Sequence, residues 1–125
     1  MATSDVPIAN ARTPIRSVRR AIDAELIKHV ADTIVAHFDP ERVILFGSQA
    51  RGDAGPDSDL DIFVEMETSL RSPERMIAID SLFGIRSWPM DVVVYTPQES
   101  ERMRYAKWSL LGTIEAEGKV LYARR

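Results

Sequence analysis

Phe46-Gly47-Ser48-Gln49-Ala50-Arg51-Gly52, running on to Asp57-Ser58-Asp59-Leu60-Asp61, is the stretch whose reading decides the fold. It predicts a strand, a tight Gly-Ser corner, one helical turn, a loop, and a second strand that opens with two carboxylates. A Gly-Ser corner offers backbone N–H groups and a hydroxyl to a phosphate, and a helix start just behind it favours negative charge. Asp59 and Asp61 stand at i and i+2, so an extended strand carries both side chains on one face. Two carboxylates on one face, beside a phosphate cradle, point to a divalent metal that carries a nucleotide's phosphates.

On the N-terminal side, Val18, Ile22, Leu26, Val30, Ile34 and Phe38 recur every four residues. That apolar stripe predicts a helix from about Pro14 to the stop at Asp39-Pro40. Met1 to Thr13 has no periodicity and reads as a flexible lead-in to one domain over residues 14–125. Arg42 to Phe46 is the first strand, and Gly52 to Ser58 is a loop by composition. The second strand, Asp59 to Glu65, sets Leu60, Ile62 and Val64 on one face and Asp59, Asp61, Phe63 and Glu65 on the other.

On the C-terminal side, Ser72-Pro73-Glu74 opens a helix with Ser72 as its cap. It runs to about Phe83 before Gly84, burying Met76, Ile79 or Asp80, and Phe83. Asp91 to Tyr95 is the third strand. Thr96-Pro97-Gln98-Glu99 is a capping box that starts a last helix, expected to reach Glu117 with a break near Gly112. Lys119 to Tyr122 forms a short edge strand.

These elements constrain the topology. A phosphate site at the end of strand one and carboxylates at the start of strand two share a sheet edge only if the two strands are antiparallel. Asp91 joins Asp59 and Asp61 only if strand three runs parallel to strand two. The Glu67–Met90 connection holds a helix and is long enough for that crossover. With strands about 4.8 Å apart, three carboxylates suit a pair of ions about 3.5–4 Å apart. Glu65 lies roughly 13 Å along the strand from Asp61, too far to join them. The fold class expected is α/β, a mixed three- to four-stranded sheet with packed helices.

Gly47-Ser48, a gap of ten residues, Asp59-Leu60-Asp61 and a later Asp91 opening an apolar strand together resemble the signature of the polymerase-beta-type nucleotidyltransferases. The Gly-Ser-Gln-Ala-Arg-Gly form and the short chain are most similar to the minimal nucleotidyltransferases, which often serve as the antitoxin to a HEPN-domain ribonuclease toxin. The resemblance covers roughly Arg42 to Tyr95. It implies a palm-like nucleotidyltransferase fold and AMP transfer from ATP with release of pyrophosphate. The acceptor it implies is a tyrosine of a cognate HEPN toxin, met as a hetero-oligomer. Asp59, Asp61 and Asp91 would hold two magnesium ions, with Asp91 also taking a proton. Gly47, Ser48 and Arg51 would contact the phosphates, or Arg51 would brace the loop by pairing with Asp53 or Asp57. Two other readings stay open: an antitoxin that only binds its partner, and a small-molecule nucleotidyltransferase of the antibiotic-modifying kind.

Composition trims the alternatives. The net charge of -3 argues against a surface that grips nucleic acid. No cysteine is present, which excludes disulfides and thiolate metal sites and fits a cytoplasmic protein. No apolar run approaches a membrane span and no secretory pattern opens the chain. Arg16, Arg19 and Arg20 read first as a solvated basic face, with an anion or partner site as the alternative. His29 and His37 read as structural, Asp53 and Asp57 as turn formers, and Trp88, Tyr105 and Trp108 as packing residues or a partner surface.

Overall fold

The computed structural model describes residues 20–106 and 108–124. Their backbone forms a four-stranded sheet in the order β3-β2-β1-β4, with strands β1 (Arg42–Phe46), β2 (Leu60–Glu65), β3 (Met90–Tyr95) and β4 (Lys119–Ala123). β1 pairs antiparallel with β2 and β4, and β2 pairs parallel with β3. The mixed sheet and its strand directions match the expectation drawn from where the carboxylates must meet. β4 is the expected fourth strand.

Helix α1 spans Ala24–Phe38. It starts about ten residues later than the periodicity suggested. Residues 20–23 are not helical, and Asp23 caps the helix by accepting from the Leu26 amide at 2.9 Å. A side-chain acceptor that satisfies a first-turn amide fixes a helix start more firmly than an apolar stripe does. The rest of the expected extension, and the lead-in before it, lie outside the described residues. The left-handed Asp39 ends the helix, and Pro40 is buried behind it.

The single turn α2 (Ser48–Arg51) follows β1, and α3 (Ser72–Asp80) continues into a 3-10 turn at Ser81–Phe83. α3 begins at Ser72 itself, so Ser72 is its first residue and not its cap. Glu74 turns back to accept from the Arg71 amide. The buried side of α3 is Arg75 and Ile79, whereas Met76 is exposed. Arg75 goes inside because Glu99 takes its guanidinium in two hydrogen bonds, at 2.6 and 3.1 Å, and the Val94 carbonyl takes a third.

The last helical stretch is two helices, α4 (Pro97–Arg104) and α5 (Leu110–Glu117). The break falls at Tyr105–Ser109 and not at Gly112, because Ser109 caps α5 by accepting from the Gly112 amide. Gly112 is an ordinary helix residue. No helix among the described residues is long and apolar enough to cross a membrane.

Two apolar clusters lie on opposite faces of the sheet. The larger joins Val43, Leu45, Leu60, Ile62, Val64, Val92 and Val94 to α1 and to Ile79 of α3. The smaller joins Ile44 and Phe63 to Leu111 and Ile114 of α5, with Phe46, Val93, Tyr95 and Met103 at its edge. Residues of alternate parity along β2 therefore feed both cores. The carboxylate face of β2 is the face covered by α5.

Candidate active site

Gly47 ends β1 with φ of 73°, a conformation that a side chain disfavours. Space excludes a side chain as well. A Cβ there would fall on an oxygen of Asp61 and 3.0 Å from its Cγ. The cause is register: Phe46 faces Asp61 across the β1–β2 pair, so the next residue of the chain turns directly over the Asp61 carboxylate. The corner then reverses into α2, where the Ala50 and Arg51 amides both donate to the Gly47 carbonyl at 3.0 Å. The Ser48 and Gln49 amides precede the first helical hydrogen bond and have no acceptor within the helix.

The next strand brings the third carboxylate. Asp61 and Asp91 are cross-strand partners in the parallel β2–β3 pair, and neighbouring strands lie about 4.8 Å apart. Asp59 stands two residues before Asp61, just ahead of the first residue of β2. Asp59 and Asp91 are exposed and Asp61 is half-buried. Burial pushes the Asp61 carboxyl above its usual range, the charges of Asp91 and Asp59 push it further, and Arg51 opposes them weakly. The sequence-derived trio therefore shares one sheet edge, with its middle member short of positive charge.

Arg51 is half-exposed and paired with Asp53 at 3.3 Å and with Glu117 at 3.5 Å. The Asp53 pairing is the loop-bracing contact foreseen. The Glu117 pairing was not, since it joins α2 to the end of a helix 66 residues away. Gly118 makes it geometrically available. A Cβ there would approach Ile44 to 2.5 Å, so the glycine lets the end of α5 lie directly on β1.

Other foreseen candidates lie elsewhere. His37 donates to the Thr33 carbonyl at 2.9 Å, and His29 meets Phe83 edge-on at 6.3 Å. Both sit on α1, across the sheet from the carboxylates. Arg20 pairs with Asp23 at 3.1 Å and Glu25 at 3.8 Å, while Arg16 and Arg19 lie outside the described residues. Trp88 packs against the larger core. Tyr105 and Trp108 are exposed.

The sequence profile of the nucleotidyltransferase domain matches residues 27–121. The chain belongs to the nucleotidyltransferase domain family. A candidate nucleotidyltransferase from Sulfolobus solfataricus shares the fold, with a TM-score of 0.57 and 24% identity over 80% of this chain and 79% of its own. A toxin-antitoxin structure with AMP-PNP superposes with a TM-score of 0.51 and 21% identity, over 78% of this chain and 74% of its own. No curated protein matches at a level that marks a relative.

For a nucleotidyltransferase domain, the donor set has to suit a cation. Among the described residues, no three acidic, histidine or cysteine side chains close into a ready-made cage. Magnesium uses one or two carboxylates and takes its remaining oxygens from phosphates and water. An open carboxylate edge with a raised Asp61 fits that requirement, because a cation would supply the positive charge the trio lacks.

Proposed function

We propose that this chain is a magnesium-dependent nucleotidyltransferase that moves AMP from ATP to a protein hydroxyl. The acceptor we propose is a tyrosine of a cognate HEPN ribonuclease toxin, which makes the chain an antitoxin. The observation that carries this reading is the Asp61 carboxylate, pressed against Gly47 on one side and in register with Asp91 on the other. A phosphate corner and paired carboxylates on adjacent strands are the parts a phosphoryl-transfer site needs. The fold similarity to a toxin-antitoxin structure with AMP-PNP, a stable ATP analogue, supports the nucleotide and the partner class.

In this reading Asp59 and Asp61 would hold magnesium beside the triphosphate, and Asp91 would share a second ion. Bound magnesium supplies Lewis-acid polarisation of the α-phosphate and offsets charge on the departing pyrophosphate. The Ser48 hydroxyl and the amides of Ser48 and Gln49 hold the β- and γ-phosphates. Arg51, held by Asp53 and Glu117, keeps the corner in place and lends positive potential. Asp91 receives the acceptor's proton as the acceptor oxygen bonds to the α-phosphorus. The bond from that phosphorus to the pyrophosphate oxygen breaks in line, and pyrophosphate leaves. An added AMP brings bulk and negative charge to an RNA-cutting site that must bind phosphate.

The test is the intact mass of the co-purified partner after incubation with ATP and magnesium, using the native chain and Asp59→Ala. The expected result is a gain of whole AMP units that requires Asp59. A stable complex with no gain in mass would contradict the enzymatic reading and favour neutralisation by binding.

A further inference from the structure

Among the described residues, β3 is an outermost strand of the sheet, and its open side has a defined pattern. The Leu60 amide donates to the Pro89 carbonyl and the Met66 amide to the Tyr95 carbonyl, both at 3.0 Å. In a parallel pair such donors alternate, so the odd-numbered residues 89 to 95 point their backbone groups at β2. Met90, Val92 and Val94 therefore point theirs outward. The Val94 carbonyl is taken by Arg75, which leaves, among the described residues, the groups of Met90 and Val92 on either side of Asp91.

This open edge lacks the usual protection. Met90 to Tyr95 contains no lysine or proline, and the β2–β3 register has no bulge. Beside it, α3 presents Met76 and Ile77, 42% and 64% exposed. With Met90 and Val92 they border an open groove between helix and strand, which becomes polar at its other end with Ser81 and the Asp80–Arg86 ion pair. An edge strand with an adjacent apolar helix face is the arrangement that accepts an extended segment as an added strand.

We propose that this groove seats an extended segment of the acceptor protein, antiparallel to β3, and so delivers the acceptor hydroxyl to Asp91. The proposal rests on the nucleotidyltransferase reading above and adds the acceptor's binding mode to it. Three observations select the acceptor as occupant. First, Met90 and Val92 would form the hydrogen-bonded pairs. The residue opposite Asp91 then occupies the close pair position, with Cα atoms about 4.5 Å apart and its side chain on the carboxylate face. Second, the Gly47–Ser48 corner follows β1, and β2 separates β1 from β3. A leaving group at the corner and a nucleophile entering from the β3 edge stand on opposite sides of the carboxylates, as in-line displacement requires. Third, the rim beside Asp91 is acidic, with Asp91 and Asp59 exposed and the groove's Arg86 already paired with Asp80, which suits a segment that is neutral or basic. The segment should read apolar, hydroxyl, apolar, with the apolar neighbours entering the groove by strand alternation.

The probe is a soluble synthetic nonapeptide that alternates valine with threonine around one central tyrosine and carries lysine at both ends. Amide chemical shifts and hydrogen exchange of the full chain are followed during titration, with ATP binding measured in parallel. The expected result is saturable perturbation and slowed exchange of the Met90 and Val92 amides. Affinity should fall at least tenfold in Ile77→Lys, and again when glutamate replaces the peptide residues flanking tyrosine. Both substitutions should leave ATP binding unchanged. Normal ATP binding with no perturbation at Met90 and Val92 would overturn the groove while sparing the nucleotide site. The same shifts produced by raising protein concentration alone would assign the edge to a second copy and overturn the proposal as well. Absent ATP binding would instead contradict the underlying nucleotidyltransferase reading.

Discussion

Asp61 and Glu65 lie four residues apart on β2 and face the same side of the sheet, yet their surroundings are opposite. Glu65 is buried and ion-paired to Arg42. Arg42 also holds Glu115 of α5 at 2.7 Å and lies over the Phe63 ring at 5.6 Å. Burial raises the Glu115 carboxyl, but the hydrogen bond and charge of Arg42, with help from Arg104, outweigh it and hold the group below its usual range. At the other end of the strand, Asp61 has two carboxylates for neighbours and only a distant arginine. One acidic end carries its own cation and fastens α5 to the sheet. The other has no cation of its own to match its carboxylates. The contrast separates an acid that fastens the fold from the acid proposed to act in transfer.

The sharpest way to break the contrast is Asp61→Asn. Transfer should fall at least about a hundredfold, since the group proposed to hold the metal and phosphates is lost. Turnover rate at saturating ATP and magnesium is the measurement, and an unchanged rate would remove Asp61 from the site.

Arg42→Met should do the reverse. Breaking a buried pair from one side costs about 3 kcal/mol, readable as a lower denaturation midpoint, while turnover per folded molecule stays near native. The lowered Glu115 carboxyl also sets a sign. Its contribution is present above the unfolded value near 4.5 and is lost as pH falls through the folded value. Acid titration of stability should therefore flatten in Arg42→Met.

Gly47→Ala should damage both properties. Positive φ and the Asp61 carboxylate both resist a Cβ, at a cost of about 1–3 kcal/mol, and transfer should drop because Asp61 must move. Native turnover and melting temperature in this variant would mean that the corner relaxes freely and that its geometry is not required.

A smaller effect follows from Asp61 itself. Its raised carboxyl favours the protonated fold, so the associated stability is complete below the unfolded value near 3.8 and is lost as pH rises through the folded value. At neutral pH the ionised Asp61 is a net cost. Asp61→Asn should then melt roughly 1–4 °C higher than the native chain even as it loses activity. A lower melting temperature at neutral pH would show that Asp61 is structurally required. The least effect is expected from Glu117→Gln, a few-fold rise in the KM for ATP through a looser Arg51. No change in KM would make that pair incidental, as exposed pairs often are.

Much of this was legible in the sequence, for physical reasons. The Gly-Ser corner, the Asp-Leu-Asp entry and the Asp91 start are local patterns. Requiring one shared edge gave the strand directions, and the observed Asp61–Asp91 register agrees. Apart from Ser72, where the cap falls one residue earlier at Arg71, the misses involve partners distant in sequence or caps hidden by periodicity. The periodicity put Met76 on the buried side of α3, whereas Arg75 is buried there with Glu99, 24 positions away, as its partner. Met76 is exposed and borders the open β3 edge. Ser109 was the available signal for the break between α4 and α5, because a serine ahead of Leu110-Leu111 is a natural cap. The roles of Arg42 and Glu117 depend on where α5 lands, which no local pattern encodes.

The most direct test of the central claim is calorimetric binding of a non-hydrolysable ATP analogue, with and without magnesium, to the native chain and to Asp61→Asn. The expected result is binding that needs magnesium and is lost, or weakened at least tenfold, in the variant. Binding that ignores both magnesium and Asp61 would contradict the assignment of the carboxylate edge as the nucleotide site.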